Sequence, residues 1–233
     1  MKIAIISDIH SNLEALTKVM DEIHERKISD IICLGDVVGY GANPNECVDV
    51  LRSNNIPTIA GNHDRAVTGA REIDNFSEHA QAGVVWTRKK ITKENFEFLS
   101  NLPYILHAFN AFFTHSSPDL PEEFRYLFYH VDAAESFQYF SEPVCFVGHT
   151  HRPAIFCDDG ETDHLVKGKK FIVNAGSVGQ PRNGDWHACF VVFDVDNFSL
   201  EYVRVEYDVR SARQKILDAG LPKKLGDRLL SGV

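Results

Sequence analysis

The sequence predicts an α/β fold. Short apolar runs alternate with stretches of helical spacing, polar motifs directly follow several of those runs, and the second half of the chain is mostly β in character. Residues 2–7 form an apolar run suited to a buried parallel strand, after which Leu13, Leu16, Met20 and Ile23 recur at the spacing of one helix face. Residues 31–34 supply the next strand, and Asn43-Pro44-Asn45-Glu46 offers an N-cap, a first-turn proline and an acidic N3 to the helix behind it. A third short strand is expected at residues 58–60, after Pro57. Residues 65–102 read as mainly helical, with Ser77 and Thr92 as N-caps and Trp86, Phe96 and Leu99 available for packing, and are expected to form a cap-like segment. Further strands are expected at residues 111–114, 144–147, 171–173, 188–195 and 200–207, with Asp132 and Glu135 suggesting a capping box between the first two. A last helical stretch, residues 211–230, is interrupted at Gly220 and Pro222.

With 233 residues, 44% hydrophobic and 24% charged, the chain can bury a core as one domain spanning residues 1–233. No apolar run approaches the roughly 20 residues that cross a bilayer, so no membrane span is expected. The opening MKIAIISDIH lacks the basic segment, long apolar run and small-residue cleavage site of a secretory signal, so a cytoplasmic location is expected. Cys33, Cys47, Cys145, Cys157 and Cys189 are odd in number, widely spaced and free of any C-x-x-C pair; they read as reduced and mostly buried. A net charge of −9 argues against a broad basic track for nucleic acid, whose binding draws affinity from phosphates neutralised by Lys and Arg. Part of that acidity, Asp8 and Asp36, belongs to candidate metal ligands, and bound cations would make their surroundings attractive to phosphate.

Five polar motifs carry the chemistry: Asp8-Ile9-His10, Gly35-Asp36, Gly61-Asn62-His63-Asp64, His115 and Gly148-His149-Thr150-His151. Together they supply nitrogen and oxygen ligands for two neighbouring metal ions, which two-metal phosphoryl-transfer sites hold roughly 3.5–4 Å apart. In extended backbone, residues i and i+2 share a face, so Asp8 with His10, and His149 with His151, can each present two ligands to one site. A lone D-x-H or H-x-H is a weak signal; five motifs in order, each behind a strand, are a far stronger one. Gly35, Gly61 and Gly148 permit sharp turns and close backbone approach where the polar groups converge. Taken singly, Asp36 reads equally as a helix cap or turn residue, Asn62 as a turn former, and His115 as a hydrogen-bonded loop histidine. His24, His79, His107, His130, His164 and His187 have no motif neighbours and read as surface or structural residues. Residues 174–182 form a glycine-bearing loop ending in Arg182, a side chain suited to phosphate, and Tyr40 and Arg65 are further candidate substrate contacts.

On these motifs the chain resembles the calcineurin-like metallophosphoesterases, in particular their small bacterial and archaeal phosphodiesterases. The signature D-x-H, G-D, G-N-H-D, H, G-H-x-H is matched without a missing position, and Asn174-Ala175-Gly176-Ser177-Val178-Gly179 is similar to the family's later glycine loop. The resemblance implies a four-layer α/β/β/α sandwich of two facing mixed sheets, the metallo-dependent phosphatase fold, with metals in a cleft at the sheet edges. It implies that Asp8, His10 and His151 bind one metal, that Asn62, His115 and His149 bind the other, and that Asp36 bridges both. Such mixed ligands suit manganese, iron, zinc, nickel or cobalt better than magnesium. It further implies hydrolysis by a metal-activated hydroxide, with His63 as general acid and Asp64 orienting its imidazole.

The activity so implied is hydrolysis of a small phosphorylated substrate. A diester is expected before a monoester, because no strongly basic segment is evident to hold a dianionic monoester. Diadenosine tetraphosphate hydrolysis and protein serine/threonine dephosphorylation are alternative activities on related folds. A non-catalytic trafficking scaffold of the same fold lacks the histidine at the position of His63, which this chain retains. Oligomeric state and physiological metal are left open by the sequence.

Overall fold

Nine strands divide between two mixed sheets in a computed structural model that describes residues 1–160, 162 and 164–233. They are β1 (Lys2–Ile6), β2 (Asp30–Cys33), β3 (Ile105–Ala108), β4 (Ala111–Thr114), β5 (Val144–Val147), β6 (Ala154–Cys157), β7 (Phe171–Asn174), β8 (Ala188–Asp194) and β9 (Ser199–Val205). The first sheet has the order β2-β1-β8-β9, with β1 parallel to β2, Ile5 opposite Ile32, and antiparallel to β8, Ala4 opposite Val192. The second has the order β3-β4-β5-β7-β6; β4, β5 and β7 are parallel, and the edges β3 and β6 run antiparallel to them.

Alternate side chains of each strand enter different layers. Ile3 and Ile5 of the first sheet meet Phe113, Phe146 and Val173 of the second in a core between the sheets. Ala4 and Ile6 face the other way into the helices, while Phe112, Cys145 and Ile172 pack outward against Phe137 and Phe140. The order of layers is therefore α/β/β/α. Covering both faces explains why β4 and β5 are buried at every position and read as unbroken apolar runs. Phe113 and Phe146 stack at 5.5 Å in the central core; truncating either to alanine should cost about 3–5 kcal/mol.

The helices are α1 (Leu13–Glu25), α2 (Pro44–Ser53), α3 (Asn62–Val67), α4 (Glu78–Arg88), α5 (Lys93–Ser100), α6 (His130–Ala134), α7 (Val209–Asp218) and α8 (Lys223–Asp227). The expected face of α1 packs inward through Leu16, Val19 and Ile23, and the Asn12 side chain accepts the Ala15 N–H at its start. Ser77 and Thr92 cap α4 and α5 as their sequence suggests, accepting the N–H groups of Ala80 and Asn95. Pro44 opens α2, but the Asn43 amide turns to the Glu46 carboxylate, 3.1 Å away, and leaves the helix backbone uncapped. All five cysteines are buried and free. Among the described residues, no helix is long and apolar enough to cross a membrane.

Three local expectations differ from the structure. Residues 58–60 form no strand: a single parallel bridge joins Thr58 to Cys33, and the Ala60 N–H turns away to Pro103. The structure adds two short edge strands that the sequence does not signal: β3 alternates exposed and half-buried positions and carries His107, and β6 is only four residues long and half-buried at Ala154 and Ile155. Of the cap-like segment expected at residues 65–102, Arg71, Asn75, Phe76, Ser77 and Ala80 line the cleft beside Asn62 and His149. Helices α4 and α5 bury Ala80, Val84 and Leu99 in the helical layer of the first sheet. Finally, Asp132 is the third residue of α6, where its carboxylate accepts the N–H groups of Phe128 and Tyr129, so it does not start a box with Glu135.

Candidate metal centre

The loops behind β1, β2, β4 and β5 meet the start of α3, where open α/β sheets place ligands. Asp8, His10, Asp36 and His151 bring ligand atoms within 4.8 Å of one another, and so do Asp36, His115 and His149. Asp36 belongs to both groups. Its Oδ2 lies 3.5 Å from His10 Nε2 and 3.4 Å from His115 Nε2, while Asp8 Oδ1 lies 3.3 Å from His151 Nε2. Asn62, the first residue of α3, is buried and lines the same cleft as His149.

The pairs do not converge through the pleat of a strand. Asp8, His10, Asp36, His149 and His151 have φ of 53°, 50°, 51°, 67° and 60°, in the left-handed region. Each such residue costs on the order of 1–3 kcal/mol and persists only where its surroundings hold it. Those surroundings are visible. The Asp64 carboxylate accepts the N–H groups of Asp36, Val37, Val38 and Gly61 at 2.8–3.2 Å, clamping the second motif to the third. Asp8 is bracketed by Gly179 N–H and Ser177 Oγ, both donating to its carbonyl. Gly61 and Gly148 allow close approaches: a Cβ at Gly61 would collide with Asp36, and one at Gly148 with Ser7 and the Asp8 carboxylate.

Three histidines are oriented from behind. The Nδ1 of His10 donates to the Val38 carbonyl at 3.1 Å, that of His115 to Leu34 at 2.7 Å, and that of His151 to Gln180 at 2.6 Å. A carbonyl only accepts, so each Nδ1 carries a proton, and in the neutral form of each ring Nε2 is the atom that presents a lone pair inward. His10 Nε2 and His151 Nε2 then face each other at 3.1 Å, an arrangement that a shared cation would stabilise. Asp8 Oδ1, Asn62 Oδ1, His115 Nε2 and His149 Nε2 are buried without a hydrogen-bond partner. Such orphans cost about 1–3 kcal/mol each and are rare. Their donor chemistry, mixed imidazole, carboxylate and amide, fits divalent transition metals.

Electrostatics agree with that fit. Burial opposes ionisation of Asp8 and Asp36, yet neighbouring histidines, His151 and His115 for Asp8 and chiefly His115 for Asp36, hold both carboxyls well below the usual range. Burial also disfavours a charged His115, but the Asp36 and Asp8 carboxylates outweigh it and hold this imidazole up at about 9. In the protein alone, that proton supplies positive charge where a cation would otherwise do so. Burial pushes His149 down to about 3 and lowers His10 and His151 as well, keeping them in the neutral form that binds metals.

His63 stands beside these ligands, its ring 4.8 Å from that of His10, 4.5 Å from Tyr40 and 5.0 Å from Phe76. Burial pushes its imidazole down to about 4, and the Asp36 carboxylate offsets this only in part. Asp64 does not orient it. The Asp64 oxygens are taken by the four backbone N–H groups, and His63 Nδ1 is buried without a partner. Burial and the Asp36 charge push Asp64 up to about 7, against those four donors, which favour its ionised form. Arg65 is also displaced from its expected role. Its guanidinium donates to the carbonyls of Ser100 and Leu102 and lies over the Tyr104 ring at 4.5 Å, tying α3 to the end of α5.

Tyr40 and Arg182 do line the cleft, a cavity of about 420 Å³ that also contains Asn62, His63 and His149. Arg71, Arg228 and Tyr126 line it too and were missed by sequence reasoning. The Tyr126 ring stacks on His149 at 3.9 Å, and Phe128 stacks on Tyr126 at 5.2 Å. No motif signals these residues, because each arrives on a segment without local pattern.

The fold and this cluster together define a metallophosphoesterase-type architecture. The chain belongs to the calcineurin-like phosphoesterase superfamily, whose domain model matches residues 1–198. It is 44% identical to the uncharacterized protein MJ0912 of Methanocaldococcus jannaschii, covering 99% of this chain and 98% of that protein. A metallophosphoesterase from Sphaerobacter thermophilus superposes with a TM-score of 0.88 at 36% identity, covering 100% and 99% of the two chains. The hypothetical protein PH1004 of Pyrococcus horikoshii OT3 shares the fold, with a TM-score of 0.86 at 21% identity over 100% and 98% of the chains.

Proposed function

We propose that this protein is a metal-dependent phosphoesterase that hydrolyses a diester bond in a small phosphorylated substrate. The observation that carries the reading is the set of four orphaned ligand atoms, Asp8 Oδ1, Asn62 Oδ1, His115 Nε2 and His149 Nε2, gathered around a carboxylate common to two ligand groups. Asp8, His10 and His151 would hold one divalent cation, Asn62, His115 and His149 a second, and Asp36 would serve both. When bound, such cations supply Lewis-acid stabilisation of phosphoryl oxygens and acidify water.

The chain's own residues account for the rest. Asp64 holds the Asp36 loop rigid, so the shared carboxylate needs no reorganisation as charge develops. His63 is neutral in the protein alone, and a neutral imidazole can still donate an N–H to the departing oxygen; taking up a proton against substrate phosphate would let it act as a full acid. The cleft extends past the ligands to Tyr40 and Tyr126, leaving room for a second ester arm. That room, and no longer a lack of basic groups, supports the diester, since three arginines line the same cavity.

Saturation with manganese followed by elemental analysis should give two ions per chain; one ion, with Asn62 and His149 unliganded by anomalous scattering, would sink the binuclear arrangement. The kcat/KM for bis-p-nitrophenyl phosphate should exceed that for p-nitrophenyl phosphate under the same metal, because the ratio reports differential transition-state binding. A higher value for the monoester would overturn the diester preference.

A further inference from the structure

We infer that the wall of the cleft binds a second phosphoryl group of the substrate, through the guanidinium groups of Arg71, Arg182 and Arg228. The inference rests on the phosphoesterase reading above and names the class of molecule: an organic compound carrying one phosphoryl group beside the scissile one.

The three side chains line one cavity but come from distant segments. Arg71 lies between α3 and α4, Arg182 behind β7, and Arg228 just after α8, outside the residues matched by the family domain. Among the described residues none of the three pairs with an Asp or Glu side chain. Arg182 donates to Gln180 Oε1 at 2.9 Å and to the Tyr40 hydroxyl at 3.3 Å, and its Nε is buried without a partner. Arg228 donates to the same Gln180 Oε1 at 3.3 Å and to a main-chain oxygen of the last residue, Val233, at 2.8 Å. Arg71 is steadied by the carbonyls of Glu122 and Glu123 and by the Phe124 ring.

Two guanidiniums sharing one neutral oxygen repel each other, and burial and the nearby Arg182 lower the proton affinity of Arg228. A phosphoryl group would relieve this with charge-assisted bonds to planar N–H forks, the geometry that arginine matches best. The scissile group is already served by the ligand floor. The arginines on the wall, beside Tyr40 and Tyr126, are placed for a different anionic group of the same molecule.

The test measures calorimetric binding of AMP, α,β-methylene-ADP and adenosine 3′,5′-bisphosphate to the manganese-loaded protein, with hydrolysis of bis-p-nitrophenyl phosphate followed in parallel. At least one diphosphorylated probe should bind about tenfold or more tighter than AMP. Preference for the methylene analogue would place the second group adjacent to the first, and preference for the bisphosphate would place it across the molecule. Arg228→Gln and Arg71→Gln should each cut the advantage to about threefold or less, with Arg228→Lys restoring part of it. Thermal melts of each variant establish that it is folded. Equal binding of all three probes by the unmodified protein would overturn the inference. So would an advantage kept in both glutamine variants, which assigns it to the metals, or an equal loss for AMP, which assigns the arginines to the scissile group. Probe binding as expected, with no hydrolysis of the diester, would strike the phosphoesterase reading and leave the second subsite standing.

Discussion

Asp36, on the floor of the cleft, is fully buried in a left-handed turn whose backbone N–H groups are gripped by Asp64. Arg228, on the wall, is half-buried on a C-terminal turn and held by one side-chain amide oxygen and a main-chain oxygen of Val233. The floor is overdetermined: its ligands come from loops between buried strands, are oriented by backbone carbonyls, and occupy strained conformations that only dense hydrogen bonding sustains. The wall is assembled from irregular segments whose side chains lean on rings and on main-chain and side-chain oxygens. The difference teaches that the reaction centre and the choice of substrate are separable in this molecule, because the wall can change without disturbing the core that holds the floor.

The sharpest way to break that comparison is to weaken the floor. Asp36→Asn removes the charge common to both ligand groups, and kcat/KM for bis-p-nitrophenyl phosphate should fall by more than about 10⁴-fold together with metal stoichiometry. Retention of two metals and of turnover would mean that the floor is not a unit. His63→Ala should keep both metals while losing about 10²–10⁴ in turnover, with the larger loss for an alkyl leaving group. Near-normal hydrolysis of an alkyl diester by the fully metallated variant would exclude His63 as proton donor.

Asp64→Ala leaves four buried N–H groups without their acceptor, and urea denaturation should show a loss of about 3–5 kcal/mol. A change under 1 kcal/mol, on the order of a single surface bond, would show that the left-handed turns do not depend on this clamp. Adding manganese at about 100 times its dissociation constant should stabilise the unmodified protein by about 2.7 kcal/mol, read from a shifted melting curve, and should stabilise Asp36→Asn far less. The smallest effect belongs to the wall. Tyr126→Ala removes one half-exposed ring from His149, and should raise KM by a few-fold, about 0.5–1.5 kcal/mol, with little change in melting temperature. A collapse of metal binding in that variant would make Tyr126 part of the floor.

How far the sequence could be read follows from the range of the forces involved. Strands β1, β4 and β5 were legible because burial on both faces demands unbroken apolar runs, and the edge strand β2 because its apolar run continues into the buried Leu34. The edges β3 and β6, which meet solvent, were not. Within Gly61-Asn62-His63-Asp64-Arg65, residue types suggested roles but not directions. Each step along α3 turns the side chain by roughly 100°, so Asn62 and His63 line the cleft, Asp64 points back at the Asp36 loop, and Arg65 reaches α5.

By itself, the sequence determined the α/β character and the short motifs whose oxygen and nitrogen atoms can bind metal, since strand burial and ligand chemistry are written in neighbouring residues. Only the tertiary structure decided that left-handed turns, and not a strand pleat, aim those ligands, that Asp64 serves the backbone and not His63, and that Arg71, Arg182 and Arg228 share a cavity. The physical reason is that a backbone turn and a meeting of like charges are set by packing between segments far apart in the chain, where local residue patterns carry no information about direction.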